Sequence, residues 1–368
     1  MAHMNESVVN FNPNTYADEG GQICKVDCSL GVNLEPLPQK VLDKLKDLSP
    51  DHLKNYPHSE DVFKCVLKKL NKLNPELTIE NIAIGCGSID VLLNIDNLFI
   101  NRDKKVLGYA PQFSAYIDDI NLKEATYIPV NMIKENNYKI DVSLMCKEIE
   151  FQKPDLIYLD NPNNPTGQIL SKDQLEKIYA SAEKVDAAMI VDEAYGDYMD
   201  QNENSMIDHV NDKMPNLIVV KTMSKGYGMA GMRMGYAVAS KEIISQLNKL
   251  LVPFNCNNLA RDLAIAMLDE DDYLQGLKET TERKIKKVKD TLTGKIKIAY
   301  TADCVPISLL YTDDENIDLT KLLGTVGIAA VSGASFDNLS INSVRLMVPA
   351  EKDMDLLCQL LKKAEALI

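Results

Sequence analysis

Three short stretches carry the residue types that chemistry needs. The first is Asn161-Pro-Asn-Asn-Pro-Thr-Gly167, directly after the strand-like stretch 156–160. Two X-Pro steps, three asparagines and a glycine neither continue a strand nor open a helix, so they make a rigid turn. The second is Val191-Asp-Glu-Ala-Tyr195, which places Asp192 where another apolar run stops. A carboxylate there loses solvation unless a cation meets it. The third is Thr222-Met-Ser-Lys-Gly226, with Lys225 just beyond the run 217–221. A lysine amine at a sheet edge, partly withdrawn from water, suits Schiff-base chemistry with a carbonyl. Each stretch alone has a plain explanation, since turn-rich loops, strand-end aspartates and exposed lysines are common. Together they put an amine, a carboxylate and a rigid polar turn at one edge of a sheet, where open α/β folds bind ligands.

Two further segments add binding groups. Gly85-Cys86-Gly87-Ser88 lies between the run 82–84 and a helical pattern over 88–99. Successive backbone N–H groups at such a turn point at an anion. Arg345 interrupts the apolar run Ser343-Val-Arg-Leu-Met347. A guanidinium is costly to bury there without a carboxylate, which it can grip with two parallel bonds. A rival motif, Gly226-Tyr-Gly228-Met-Ala-Gly231, has the glycine spacing of a dinucleotide site. Its context fails, because the glycines lead into another strand and 251–254 offer no acidic residue to hold a ribose.

The elements that must position these residues follow from periodicity. Strands are expected at Ile82–Ile84, Lys105–Tyr109, Thr126–Val130, Leu156–Leu159, Ala188–Val191, Leu217–Lys221 and Gly235–Ala239. Helical patterns fall at 37–48, 62–73, 88–99, 113–120 and 171–184, the last opening with the capping-box spacing Ser171 to Gln174. Alternating strands and helices, with strands apolar on both faces, indicate a mainly parallel seven-stranded sheet flanked by helices. After residue 240 the texture changes to long helices (241–251, 256–269, 272–292), strands at 296–300, 307–311 and 343–348, and helices at 318–326 and 352–367. That is a smaller α+β unit. The expected division is an arm over 1–30, a large domain over 31–250 whose first residues pack with the small domain, and a small domain over 251–368, with the change inside the helical region 241–270. The polar stretch 5–25 reads as an irregular lead-in, and Met1-Ala2-His3 as a cloning remnant.

Composition narrows the classes. The chain has 368 residues, enough for two domains and a substantial core. Its net charge of -14 disfavours nucleic acid and anionic membrane surfaces as partners. No apolar run approaches the ~20 residues of a membrane span, and no signal-like segment opens it, so a cytoplasmic location is expected. Eight scattered cysteines without a Cys-x-x-Cys pair read as reduced thiols, and the four histidines have no metal-ligand spacing.

In order and spacing, Asn-Pro-x-Asn-Pro-Thr-Gly, Asp-Glu-Ala-Tyr and Ser-Lys followed by Gly-x-Arg-x-Gly resemble the fold-type I pyridoxal-phosphate enzymes. More narrowly they are similar to class I/II aminotransferases, in the branch containing histidinol-phosphate aminotransferase. The resemblance runs from about Asp27 to Arg345. It implies that Lys225 holds pyridoxal 5′-phosphate as an imine and moves a proton between Cα and C4′. It implies that Asp192 faces the pyridine nitrogen, that Tyr195 and Asn164 donate to the ring oxygen, and that Phe113 stacks on the ring, with core packing as the rival reading of that phenylalanine. The cofactor phosphate then falls to Cys86, Gly87, Ser88, Thr222 or Ser224, and Arg233. Tyr56 reaches the neighbouring subunit's phosphate, which implies a homodimer. Arg345, with Asn164 and Gly31, binds the substrate.

The likeness thins at the substrate. The branch carries a further arginine after a Gly-Ile-x-x segment, and here Gly327-Ile-Ala-Ala-Val331 has valine. The segment Leu30-Gly-Val-Asn-Leu-Glu-Pro36 also departs from the branch's Asn-Glu-Asn-Pro. Three readings follow: an aminotransferase working by ping-pong half-reactions between an L-amino acid, or an amine such as histidinol phosphate, and a 2-oxo acid; a decarboxylase or lyase of the same family, similar to threonine-phosphate decarboxylase; and a non-catalytic binding module. The intact set Lys225, Asp192, Tyr195 and Arg345 argues against the third, and transamination leads.

Overall fold

The structure is a computed structural model that describes residues 4, 6–12, 24–211 and 214–368. Much of the lead-in over 5–25 therefore lies outside the described residues. The large sheet has seven strands: β1 (Ile82–Gly85), β2 (Lys105–Ala110), β3 (Thr126–Asn131), β4 (Leu156–Asp160), β5 (Ala188–Asp192), β6 (Leu217–Thr222) and β7 (Gly235–Ala239). Their spatial order is β1-β7-β6-β5-β4-β2-β3. All neighbours run parallel except β7, which is antiparallel to both β1 and β6. The connection 223–234 contains one short 3₁₀ turn and no crossover helix, so β7 returns directly alongside β6.

The strands read as unbroken apolar runs because both faces are covered. Ile82, Leu107, Ile157, Met189, Val219 and Val238 enter one core, while Ala83, Val106, Leu156, Ile190, Ile218 and Ala237 enter the other. Only β3, at the edge, is substantially exposed. Helices Ser88–Phe99, Ser114–Leu122 and Lys172–Glu183 form as the periodicity implies, and Ser171 and Gln174 complete the capping box. A further helix, Val142–Gln152, starts at Asp141, whose carboxylate accepts from the Leu144 N–H at 2.9 Å.

The smaller sheet contains β8 (Lys297–Ile298), β9 (Ile307–Tyr311), β10 (Val331–Ser332) and β11 (Ser343–Met347), all antiparallel in the order β10-β11-β9-β8. Ile285 and Val288 of the long helix Asp271–Thr291 pack against it with Leu323 and Leu361. The preceding helix, Asn258–Leu268, buries Leu263, Ala264 and Met267 in the core of the large sheet. Near the N-terminus, Val26–Asp27 pairs in parallel with Ile328–Ala329, and farther along the Asn33 N–H donates to the Lys225 carbonyl at 3.2 Å. No helix among the described residues is long and apolar enough to cross a membrane.

Candidate active site

The carboxyl ends of β4, β5 and β6 deliver Asp160, Asp192 and, just beyond β6, Ser224 and Lys225 to one cavity of about 170 Å³. Asp192 is buried. Its Oδ1 accepts from the Ala194 N–H at 3.0 Å and its Oδ2 from the Tyr158 hydroxyl at 2.9 Å. Burial pushes the Asp192 carboxyl up to about 6, opposed by the Tyr158 hydroxyl, the Ala194 amide and the Lys225 ammonium. Lys225 Nζ lies 5.3 Å from the centre of the Tyr195 ring, and the Tyr195 hydroxyl donates to the Gly31 carbonyl at 3.3 Å.

Gly31 marks where the two domains meet over this amine. A Cβ built there would lie 2.7 Å from Tyr195 Oη, 3.1 Å from Lys225 Nζ and 3.6 Å from Arg345 Nη1. Arg345 is 1% exposed, on β11, and its Nη2 donates to the Ser29 carbonyl. A guanidinium so deeply placed needs acceptors, and the Ser29 carbonyl, two residues before Gly31, is one of them.

The opposite end is built for an anion. Ser88 opens the helix Ser88–Phe99 and lines the cavity with Ser224 and Arg233. Gly87 suits this turn because its φ of +88° is one that other residues rarely adopt, and a Cβ on it would also lie 2.5 Å from Arg233 Nη2. Thr222 stands behind Ser224, with their hydroxyl oxygens 3.0 Å apart. Cys86 is exposed and outside the cavity lining. Its N–H donates to Asp90 Oδ2 at 2.8 Å, and the Gly87 N–H to the Gly85 carbonyl at 2.9 Å, so both amides are engaged within the loop. Asp90 draws the Cys86 amide because a carboxylate in the first helical turn caps free donors.

Asn164 and Phe113 also line the cavity. The Asn164 N–H donates to Asp160 Oδ2 at 3.0 Å, while its buried side-chain oxygen has no hydrogen-bond partner. A buried amide end without a partner beside a cavity marks a place for a ligand group. Tyr56 lies outside the cavity. It is 74% exposed and stacks on Phe254 with centroids 4.6 Å apart. Two lining or supporting groups escaped the sequence reading. Asp160, pushed up to about 7 by burial, accepts from Asn163 Nδ2 at 2.8 Å, and Tyr158 holds Asp192. The only signal for Asp160 was its place at the end of a strand next to the motif turn. The whole set suits a flat aromatic aldehyde with an anionic substituent: hydroxyls, a guanidinium and a helix amino end at one side, a carboxyl at another, and an amine within reach.

The family model described as aminotransferase class I and II matches residues 23–363. A histidinol-phosphate aminotransferase from Caldicellulosiruptor saccharolyticus is 33% identical, over 84% of this chain and 84% of that protein. One from Chlorobaculum tepidum is 30% identical, over 95% of this chain and 97% of its own. Among solved structures, histidinol-phosphate aminotransferase from Sinorhizobium meliloti in complex with pyridoxal-5′-phosphate aligns with a TM-score of 0.83 at 19% identity, covering 100% of this chain and 98% of that one. Aspartate aminotransferase from Thermus thermophilus with maleate aligns at 0.84 and 17%, covering 99% and 100%. Both share the fold described above.

Proposed function

The chain belongs to the class I and II aminotransferases, and from that premise we propose that Lys225, Asp192 and Arg345 carry out amino transfer at this cavity. The protein is a pyridoxal-phosphate-dependent aminotransferase acting between an amino donor and a 2-oxo acid. The observation that supports the residue roles most is the meeting of Lys225 Nζ, Tyr195 Oη and Arg345 Nη1 around Gly31.

Pyridoxal 5′-phosphate, when bound, supplies a carbonyl that takes up the amino group and a ring that accepts the electrons released at the substrate's Cα. Ser88, Ser224 and Arg233 would hold its phosphate at the amino end of the helix Ser88–Phe99. Asp192 would face the ring nitrogen, and a cation there brings its carboxyl back down and keeps it ionised. Asn164 and Tyr195 would meet the ring oxygen, with Phe113 against the ring. Arg345 takes the substrate carboxylate in place of the Ser29 carbonyl, and a planar guanidinium fixes the carboxylate's orientation. The Lys225 amine, set beside the same spot, removes the proton from Cα and returns it on the other side of the new bond.

The substrate's far end would meet less charge here than where the branch's further arginine stands. Val331 pairs with Arg345 in register, so an apolar residue occupies the position beside the carboxylate-binding arginine. We therefore favour an L-amino acid over histidinol phosphate as donor. Donors offered singly to the loaded enzyme, without an acceptor, should give a stoichiometric burst of the matching 2-oxo acid and then stop. Sustained release of carbon dioxide or of an elimination product would favour the lyase reading, and a burst from histidinol phosphate alone would remove the argument from Val331.

Tyr56 and Phe254, stacked on each other, are 74% and 58% exposed, and Leu53 and Val252, two to three residues from them in the chain, are exposed too. These exposed apolar groups support a homodimer in which Tyr56 reaches the partner's phosphate site. Sedimentation equilibrium should give twice the chain mass; an active single-chain species would contradict this.

A further inference from the structure

We propose that Tyr158 is a positioning residue for Asp192, fixing the carboxylate's orientation and holding it ready as an anion. The inference rests on the reading of Asp192 as the partner of the ring nitrogen. Tyr158 is on β4 and fully buried, and its hydroxyl donates across to Asp192 Oδ2 on β5 at 2.9 Å. The other oxygen, Oδ1, accepts from the Ala194 N–H at 3.0 Å. One donor on each oxygen stops the carboxylate turning about its last torsion, which is otherwise broad. A phenol donating to a carboxylate is also a charge-assisted bond and favours the ionised form.

The phenol is itself held in place. The Tyr158 ring stacks on Tyr116 with centroids 3.8 Å apart and planes 28° apart. The Tyr116 hydroxyl donates to Asp96 Oδ1 at 2.6 Å, and Tyr116 and Asp96 are both 0% exposed. Asp96 lies on the helix that Ser88 opens, and Tyr116 on the helix that directly follows Phe113. One run of packed contacts thus links the anion end of the cavity, the aromatic at its wall and the carboxylate. Burial and the nearby Asp192 and Asp160 carboxylates push the Tyr158 phenol well above its ordinary range, so it remains a donor. If the phenol only filled the core, losing its oxygen would act alike whether or not residue 192 carried a carboxylate.

A double-mutant cycle on cofactor affinity separates these cases. Y158F is expected to weaken pyridoxal phosphate binding about tenfold, the size of a lost bond to a charged group. In the D192N background, where the bond no longer goes to a charged group, the same change should cost clearly less. In the apo-protein, carbon-13 NMR of the Asp192 carboxyl should show its proton held about tenfold more tightly in Y158F. An unchanged affinity and titration in Y158F, or an equal loss with and without the Asp192 carboxylate, would overturn the proposal. If D192N binds cofactor as wild type does, the ring-nitrogen reading fails first, and this proposal with it. Tyr158→3-fluorotyrosine keeps the shape and strengthens the donor. It should loosen the Asp192 proton, and it serves as the test if Y158F does not fold.

Discussion

Lys225→Ala should abolish turnover, by several orders of magnitude, while leaving the fold intact. Among the described residues the side chain is the one amine lining the cavity, and no other lining group there can both form an imine and shuttle a proton. The loop that carries it does not depend on that side chain. The Lys225 carbonyl accepts from the Asn33 N–H at 3.2 Å and the Gly228 N–H at 3.0 Å, both retained in alanine. Circular dichroism and melting temperature should therefore match wild type while single-turnover product formation disappears. Partial recovery with a small added primary amine would place the defect in the missing base. A Lys225→Ala enzyme that turns over normally would remove the central residue from the account.

Asp192 carries the second large effect. Removing a preorganised charge partner from a desolvated reacting centre costs ~10²–10³ in rate or more, and Asp192→Ala removes the only carboxyl held by both Tyr158 and the Ala194 amide. Its loss should fall on kcat, because the ring is a weaker electron sink at every proton transfer. The apo-protein offers a separate signature in the isosteric D192N. The Asp192 carboxyl has an ordinary value of 3.8 and is raised to about 6 in the fold. Between those values the folded state binds more protons than the unfolded one, so this group's contribution to stability declines as pH rises through the window. D192N lacks that decline. Its melting temperature relative to wild type should therefore move upward from pH 4 to pH 7 in cofactor-free calorimetry. A constant difference across that range would mean the carboxyl is not strained by burial.

Much of this was legible before any coordinates, for a physical reason. Strands covered on both faces, such as Ile218 to Val220, leave unbroken apolar runs, and the polar residues at or just beyond their ends, Asp192 and Lys225, stand out against that background. The turn Asn161–Gly167 was equally plain because proline and glycine admit few conformations. Other features depended on geometry that spacing does not encode. The direction of β7 follows from a connection too poor in helix to cross over. The Cys86 and Gly87 amides read as anion donors, yet Asp90 and the Gly85 carbonyl take them, and nothing in the glycine pattern announces this. Helix Val142–Gln152 has a weak signal in the sequence, since only Met145 and Ile149 form its buried stripe, although Asp141 caps it. Tyr158 and Asp160 looked like ordinary strand residues. Their roles arise from register, with Asp160 paired to Asp192 across two strands separated by a whole helix.

The central claim, that Lys225 binds the cofactor covalently at this cavity, is tested most directly by a visible absorption spectrum of the purified protein with pyridoxal phosphate, taken before and after borohydride and followed by peptide mapping. The account predicts a visible band that borohydride removes, with the cofactor fixed to the peptide containing Lys225. A folded protein that shows no band, or that carries the label on another lysine, would contradict it.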